Sequence, residues 1–226
     1  MPPEPQRAVF GPETNRGPAA GAGQPRRQKS VIREYGEALA VALLLALFIR
    51  SFVVQAFKIP SGSMIPTLLI GDHILVNKFV YGVRLPYFGT EILPVGKPRR
   101  GDVVVFIYPQ DEDKDFIKRV VGVEGDTVEV REKRLYVNGE PLADPHAHFA
   151  EGEDGRPVAP RDNYGPFEVR PGYIFVMGDN RDRSYDSRFW GPVALDKVKG
   201  KAFLIYWSWD GGGRWARWER IGELIY

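Results

Sequence analysis

Cysteine is missing from the 226-residue sequence, which excludes disulfide staples, thiol nucleophiles and thiolate metal sites together. Histidine is scarce, with only His73, His146 and His148, so the commonest general base has few candidates. An excess of either charge is also lacking. The 31 basic and 29 acidic side chains leave a formal net charge of +2, too slight a field to favour nucleic acid or another polyanion. The missing cysteines leave the compartment open, because a chain of this length buries enough apolar surface to fold without staples.

Long apolar runs are absent except for one, Ala38 to Ile49, which Arg50 and Ser51 interrupt before Phe52 to Phe57. Met1 to about Lys29 is rich in Pro, Gly, Ala and Arg and reads as a disordered tail within 1–34, unable to bury enough surface to offset the entropy of ordering. Twelve apolar residues are too short for a bilayer, which needs about 20. Counting from Tyr35 to Val54 reaches that length, with Glu37 at one interface and Arg50 snorkelling to the other, and gives a transmembrane anchor over 35–56. A cleaved secretory signal also fits the basic flank and Val54-Gln55-Ala56, although the long tail and Arg50 argue against it. A buried core helix is the third reading. Arg26, Arg27, Lys29 and Arg33 precede the run and place the N-terminal side in the cytoplasm, so everything after Phe57 is expected outside.

From Ile59 onward short runs of Val, Ile, Phe and Tyr alternate with Gly-Asp, Asn-Gly and Pro, the pattern of β structure. Strands are predicted at 74–79, 103–108, 116–123, 127–131, 135–137, 174–177 and 202–207. Asn138-Gly139 predicts a turn between extended segments. Gly71-Asp72, Gly101-Asp102 and Gly125-Asp126 read as tight turns entering strands, and a fourth pair, Gly178-Asp179, begins a denser segment. Residues 143–171 are polar and rich in Pro and Gly, and read as an excursion with few core contacts. The resulting expectation is a mostly β, strand-rich core over 57–121 and 172–226 with residues 122–171 inserted.

Three segments carry chemistry. In Ile59-Pro60-Ser61-Gly62-Ser63-Met64-Ile65-Pro66-Thr67-Leu68 the prolines and Gly62 suit hydroxyls held in a fixed, unusual geometry, or simply a Ser-rich turn. In Asp115-Phe116-Ile117-Lys118-Arg119-Val120-Val121-Gly122, strand alternation puts Lys118 on one face with Phe116 and Val120, and Arg119 on the other. A cation on a core-forming face is paired with a carboxylate or desolvated until it loses its proton, whereas on an edge strand it is merely solvated. Gly178 to Arg188 packs three carboxylates, three arginines and two serine hydroxyls after an apolar strand. Its Asp-x-Asn-x-Asp resembles a calcium loop, but interleaved arginines repel a divalent ion and no EF-hand Glu follows, so a solvated loop or a scaffold competes with a metal site. None of the three histidines has an evident buried carboxylate to orient it, which leaves Lys118 as the available base for a serine nucleophile.

Taken together, Pro-Ser-Gly-Ser-Met-x-Pro-Thr, Ile-Lys-Arg-Val-Val-Gly and Gly-Asp-Asn-Arg-Asp-x-Ser-x-Asp-Ser-Arg, in that order, resemble the motifs of the bacterial type I signal peptidase family. The resemblance runs from the anchor to Arg220-Ile221-Gly222. It implies an antiparallel β catalytic core with an inserted smaller β domain, after one transmembrane helix. It also implies Ser63 as nucleophile, Lys118 as general base, and an oxyanion hole made by the Ser63 N–H and the Ser61 hydroxyl. Ser184 corresponds to a hydroxyl orienting the lysine, and Asp179, Asp186, Arg119 and Arg188 to an ionic scaffold around it. Phe57, Ile59, Pro60, Met64, Leu68, Phe116 and Ile117 correspond to the lining of shallow pockets for small side chains at positions −1 and −3 of secretory preproteins. Phe116 stands where some relatives carry Tyr. Endoplasmic-reticulum relatives carry histidine in place of Lys118, so the resemblance is to the bacterial or organellar branch. No metal and no organic cofactor are implied. The expected partners are preproteins, the lipid bilayer and the export translocon, and not nucleic acid.

Two rivals remain. A self-cleaving serine–lysine repressor of related fold should carry a DNA-binding helix-turn-helix, which the anchor and tail argue against. A membrane-tethered β-domain binding protein would share the anchor and strands but has no need of Lys118 or the Ser61-Gly62-Ser63 geometry. Trp207, Trp209, Trp215 and Trp218 flank Asp210 to Gly213 and serve either as cross-strand packing or as an interfacial belt.

Overall fold

The computed structural model describes residues 31–84, 91–93, 96–150, 157–210, 212 and 215–226. The tail assigned to Met1 through about Lys29, with its basic residues Arg26, Arg27 and Lys29, lies outside the described residues. Helix α1 (Val31–Phe48) joins Ala- and Leu-rich sequence to a first turn containing Glu34 and a 2.8 Å Arg33–Glu37 ion pair one turn apart. Its Leu39, Val41, Leu43, Leu44, Leu45 and Leu47 are each more than half exposed. No helix among the described residues is long and apolar enough to cross a membrane, since Arg33, Glu34 and Glu37 occupy the start of α1. A π turn over Ile49–Val53 then leads into strand β1 (Val54–Lys58). The last residues of the 35–56 anchor range therefore lie in a sheet, pairing from Val54 opposite Asn77 to Lys58 opposite His73.

All further strands belong to the unit Ala42–Tyr226. They are β2 (Asp72–Asn77), β3 (Val83–Arg84), β4 (Glu91–Leu93), β5 (Val103–Ile107), β6 (Asp115–Gly122), β7 (Thr127–Arg131) and β8 (Arg134–Val137). After these come β9 (Glu140–Pro141), β10 (Tyr164–Glu168), β11 (Tyr173–Met177), the one-turn helix α2 (Ser187–Trp190), β12 (Val193–Ala194) and β13 (Val198–Ser208). Seven strands form one sheet in the order β1-β2-β13-β5-β6-β11-β12, four form a second, β10-β7-β8-β9, and β3 pairs with β4. Every paired strand runs antiparallel to its neighbour.

The central strands read as continuous Val, Ile and Phe because both faces of the large sheet are covered. Val103 and Val105 of β5 join Ile59, Met64, Leu68, Ile74 and Ile205 in one core, while Val104 and Phe106 join Val120, Ile174 and Val176 in another on the opposite face. The alternate residues of β11, Phe175 and Met177, pack with Val121 against Val128, Val130 and Leu135 of the smaller sheet.

The stretch 143–171 departs from expectation. It contains β10, and Tyr164, Phe167 and Val169 pack into the third core, with Val169 fully buried. The strand is hidden in sequence because Gly165-Pro166 interrupts its alternation, and its pairing with β7 shifts between Tyr164 and Phe167. Asn138-Gly139 closes the β8–β9 hairpin with both residues at positive φ, 56° and 83°, as a type I′ turn requires.

Candidate functional site

Ser63 lies in the loop between β1 and β2. Met64 and Leu68, both fully buried, fix the chain on one side of it, and a pair of backbone bonds, Ile59 N to Asp72 O (2.8 Å) and Gly71 N to Ile59 O (3.0 Å), fixes the other. Ile65 N donates to Gly62 O at 3.2 Å, so Gly62 and Ser63 sit in a tight turn; a Cβ at Gly62 would stand 2.9 Å from Ile65 Cδ1.

Lys118 arrives from the middle of β6, paired with Val104 of β5. Its Nζ is 2.7 Å from Ser63 Oγ and 3.0 Å from the Ile117 carbonyl oxygen. Phe116 stacks on Tyr108 with ring centroids 4.3 Å apart and also lies 5.4 Å from the amine. Lys118 is 4% exposed. Burial penalises the ammonium form and lowers the pKa to about 8, while the charges of Asp186 and Asp179 pull it back upward. A neutral amine in hydrogen-bond reach of a hydroxyl is chemically a general base beside a nucleophile.

The Gly-Asp pairs separate into two kinds. Gly71, Gly101 and Gly125 have φ of 95°, 91° and 84°, and the carboxylate of each following Asp accepts a backbone N–H three residues earlier, from Leu69, Arg99 and Val123. Gly178 is different. A Cβ there would collide with Ser184 and with the Ser63 carbonyl oxygen, so glycine is required by close approach rather than by a turn.

Each acidic side chain of the 178–188 segment meets a cation. Asp179 takes two 2.8 Å bonds from Arg119 and a 2.6 Å bond from the Thr67 hydroxyl. Asp186 accepts from Gly178 N at 3.0 Å and from Arg188 Nε and Nη2 at 2.9 and 2.8 Å, and it caps α2. Asp182 lies 3.2 Å from Lys133. This answers the calcium-loop resemblance with a physical reason, because these carboxylates are already committed to Arg and Lys.

Beside Ser63 and Lys118 runs an open groove of about 600 Å³, bordered by Pro60, Ser61, Gly62, Phe116 and Ile117. Ile65, Ile70, Asn180, Arg183 and Tyr185 also border it. Of the residues assigned to pockets, Pro60, Phe116 and Ile117 are in its wall. Ile59, Met64 and Leu68 are instead core residues, Phe57, like Ile117, packs against that core, and none of the four is among the residues bordering this groove. Their apolar character served both readings equally, and burial separates them. A second correction concerns Ser184. Its Oγ is buried without a hydrogen-bond partner among the described residues, so the bond that would orient the lysine amine is not formed. Asn180 was missed as a contributor. Its N–H donates to Ser63 O and its Nδ2 to Gly62 O, each at 3.1 Å, and its place inside the third motif was the available signal.

No histidine borders the groove, and His73 packs edge-on against Tyr206 at 5.9 Å. Trp207 contacts Trp209 and Trp218 at 5.3 and 5.7 Å, whereas Trp215 and Trp218 are 76% and 70% exposed.

Comparison with known proteins shows the family of the chain. Residues 32–207 match the family described as signal peptidase, peptidase S26. The chain is 42% identical over 212 residues to signal peptidase I of Pseudomonas aeruginosa, covering 80% of this chain and 75% of that one. It is 37% identical over 222 residues to signal peptidase I of Aquifex aeolicus, with 75% and 82% covered. A solved signal peptidase I from Enterococcus faecalis is 32% identical, covering 47% of this chain and 97% of that chain, with a TM-score of 0.38. The chain belongs to the peptidase S26 family of signal peptidases, in its bacterial type I branch, and is a serine protease.

Proposed function

We propose that the protein removes N-terminal signal peptides from secreted preproteins, with Ser63 as nucleophile and Lys118 as its base. The observation that carries this reading is the 2.7 Å separation of Ser63 Oγ and a buried Lys118 Nζ whose pKa is lowered to about 8. The Ser63 hydroxyl gives its proton to the neutral amine as Oγ attacks the scissile carbonyl. The oxyanion that forms is met by the Ser63 N–H and the Ser61 hydroxyl. The protonated lysine then gives its proton to the leaving amine, and a water activated by the same amine hydrolyses the acyl-enzyme.

The substrate reading rests on strand pairing. β6 is paired with β5 through Asp115, but β11 reaches β6 only from Gly122 to Arg119, so the groove-side backbone edge of 115–118 has no partner strand among the described residues. An extended preprotein segment adds to that edge, and the apolar wall of Pro60, Phe116 and Ile117 accepts only small side chains at −1 and −3. Asp179, Asp186, Arg119 and Arg188 hold the elements that carry the two reacting groups, and Ser184 fills the space beside Gly178.

Membrane attachment is part of the same proposal, with the apolar run within residues 35–53 as the anchor segment. Support comes from the exposed aliphatic side chains of α1. Residues 57–226 are then on the outer side of the plasma membrane, beside the export translocon that delivers preproteins. The test is incubation of the detergent-solubilised protein with a secretory preprotein and sequencing of the new N-terminus. Cleavage after a small residue is expected, and none with Ser63→Ala; cleavage by the Ser63→Ala protein would overturn the mechanism.

A further inference from the structure

The segment that carries Asn180 is held from two sides. Toward the nucleophile, Asn180 bonds the carbonyl oxygens of Ser63 and Gly62, each at 3.1 Å. From the other side it is gripped by the inserted residues. Lys133 Nζ lies 3.2 Å from Asp182 Oδ1, and Arg181 Nη2 lies 2.5 Å from Asp144 Oδ2. His148 brackets Asn180 through the backbone, donating to Asp179 O at 2.7 Å and accepting from Arg181 N at 2.8 Å.

The Lys133–Asp182 ion pair starts from a constrained loop. Lys133 belongs to the two-residue loop Glu132-Lys133 that closes β7 and β8, and both residues are left-handed, with φ of 48° and 68°. That region disfavours residues with a Cβ, and the neighbouring hairpin uses Asn-Gly to reach it. The loop is nonetheless fixed there, because Glu132 N donates to Asn163 Oδ1 at 2.9 Å and Lys133 N to Asp162 O at 3.0 Å. The Lys133 side chain is 8% exposed and that of Asp182 is fully buried. A hairpin that needed only to turn would carry glycine and a solvated side chain. This one directs a buried ammonium at the segment beside the nucleophile.

We propose that the inserted residues 122–171 clamp the 179–182 segment and that Lys133 is a positioning residue, setting the Ser63 turn through Asp182 and Asn180. This inference rests on the Ser63–Lys118 reading of the site. A misplaced nucleophile loses rate rather than substrate affinity, so the clamp has a kinetic signature distinct from a contribution to folding alone.

The experiment measures kcat and KM on a synthetic peptide with Ala at −1 and −3, alongside thermal unfolding, for four proteins besides the parent. Lys133→Met keeps the length of the side chain without its charge and should lower kcat about tenfold or more with KM little changed. Lys133→Arg should recover most of the rate. The double variant Lys133→Met with Asp182→Asn removes the buried carboxylate charge that faced Lys133 as well, so it should regain Tm relative to the single change while kcat stays low. The fourth protein, Ser63→Ala, is the control. If the double variant regained the parent's kcat together with its Tm, or if folded Lys133→Met had the parent's kcat, the clamp would be overturned and the Ser63 reading left intact. Activity in Ser63→Ala would overturn the mechanistic reading itself.

Discussion

Arg119 holds Asp179 with two parallel 2.8 Å bonds while both side chains are almost wholly buried, and the same guanidinium donates to the carbonyl oxygens of Gly101 and Tyr226 at 2.7 and 2.6 Å. A buried pair of this kind adds little net stability compared with apolar residues, but removal of one partner strands the other charge. Asp179→Asn is therefore expected to destabilise the protein by about 3 kcal/mol or more. Arg119→Lys should do nearly as much harm, because an ammonium cannot reproduce the planar fork. Urea unfolding checks both, and wild-type stability in either would refute the scaffold role.

The pH dependence follows from Lys118. With its pKa lowered to about 8 by burial, kcat/KM should rise with pH through an acid limb near that value and level off above it. Lys118→Ala should abolish cleavage, and Lys118→Arg should do no better, since guanidinium stays protonated. Replacement of His73, His146 or His148 should leave the limb in place, and its loss in any of them would remove Lys118 from the role.

The same shift predicts an effect on stability. Between about 8 and the unfolded value of 10.5, the unfolded chain binds the Lys118 proton and the folded one does not, so stability rises with pH across that window. Below it the full cost of the depressed pKa is present, on the order of 3 kcal/mol. Lys118→Met should accordingly be more stable than the parent at pH 7, with the gain shrinking toward pH 10.5. Equal unfolding midpoints in urea at pH 7 would contradict this.

Specificity should follow the volume of the groove wall. Replacing Ala by Leu or Phe at −1 of a preprotein should prevent cleavage, because overpacking a rigid apolar site costs about 1–3 kcal/mol or more. Quantitative N-terminal sequencing after timed digestion is the check, and equal rates for the three substrates would remove Phe116 and Ile117 from the pocket.

Topology is read by protease added to intact spheroplasts. Residues beyond Phe57 should be digested under the proposed orientation, in which basic residues before the apolar run hold its N-terminal side in the cytoplasm. Protection of that region would overturn the orientation.

Local features of the chain were legible without coordinates. The strand expected at 103–108 forms over Val103–Ile107, Thr127–Arg131 has the bounds its alternation predicts, and Asn138-Gly139 makes the turn expected between extended segments, because each is set by residues within a few positions. The order of three short motifs likewise singled out Ser63, Lys118 and Asp179. What sequence left undecided were matters of distance across the fold. Residues 63 and 118 are 55 positions apart, and only the β5–β6 pairing and the buried anchors Met64 and Leu68 bring their side chains to 2.7 Å. Apolar composition did not separate Phe116 and Ile117 in the groove wall from Ile59, Met64 and Leu68 in the core, since the hydrophobic effect is indifferent to which apolar surface is buried by protein and which waits for a ligand. The start of β1 at Val54 and the reach of Lys133 to Asp182 were decided the same way, by partners distant in sequence that no local pattern records.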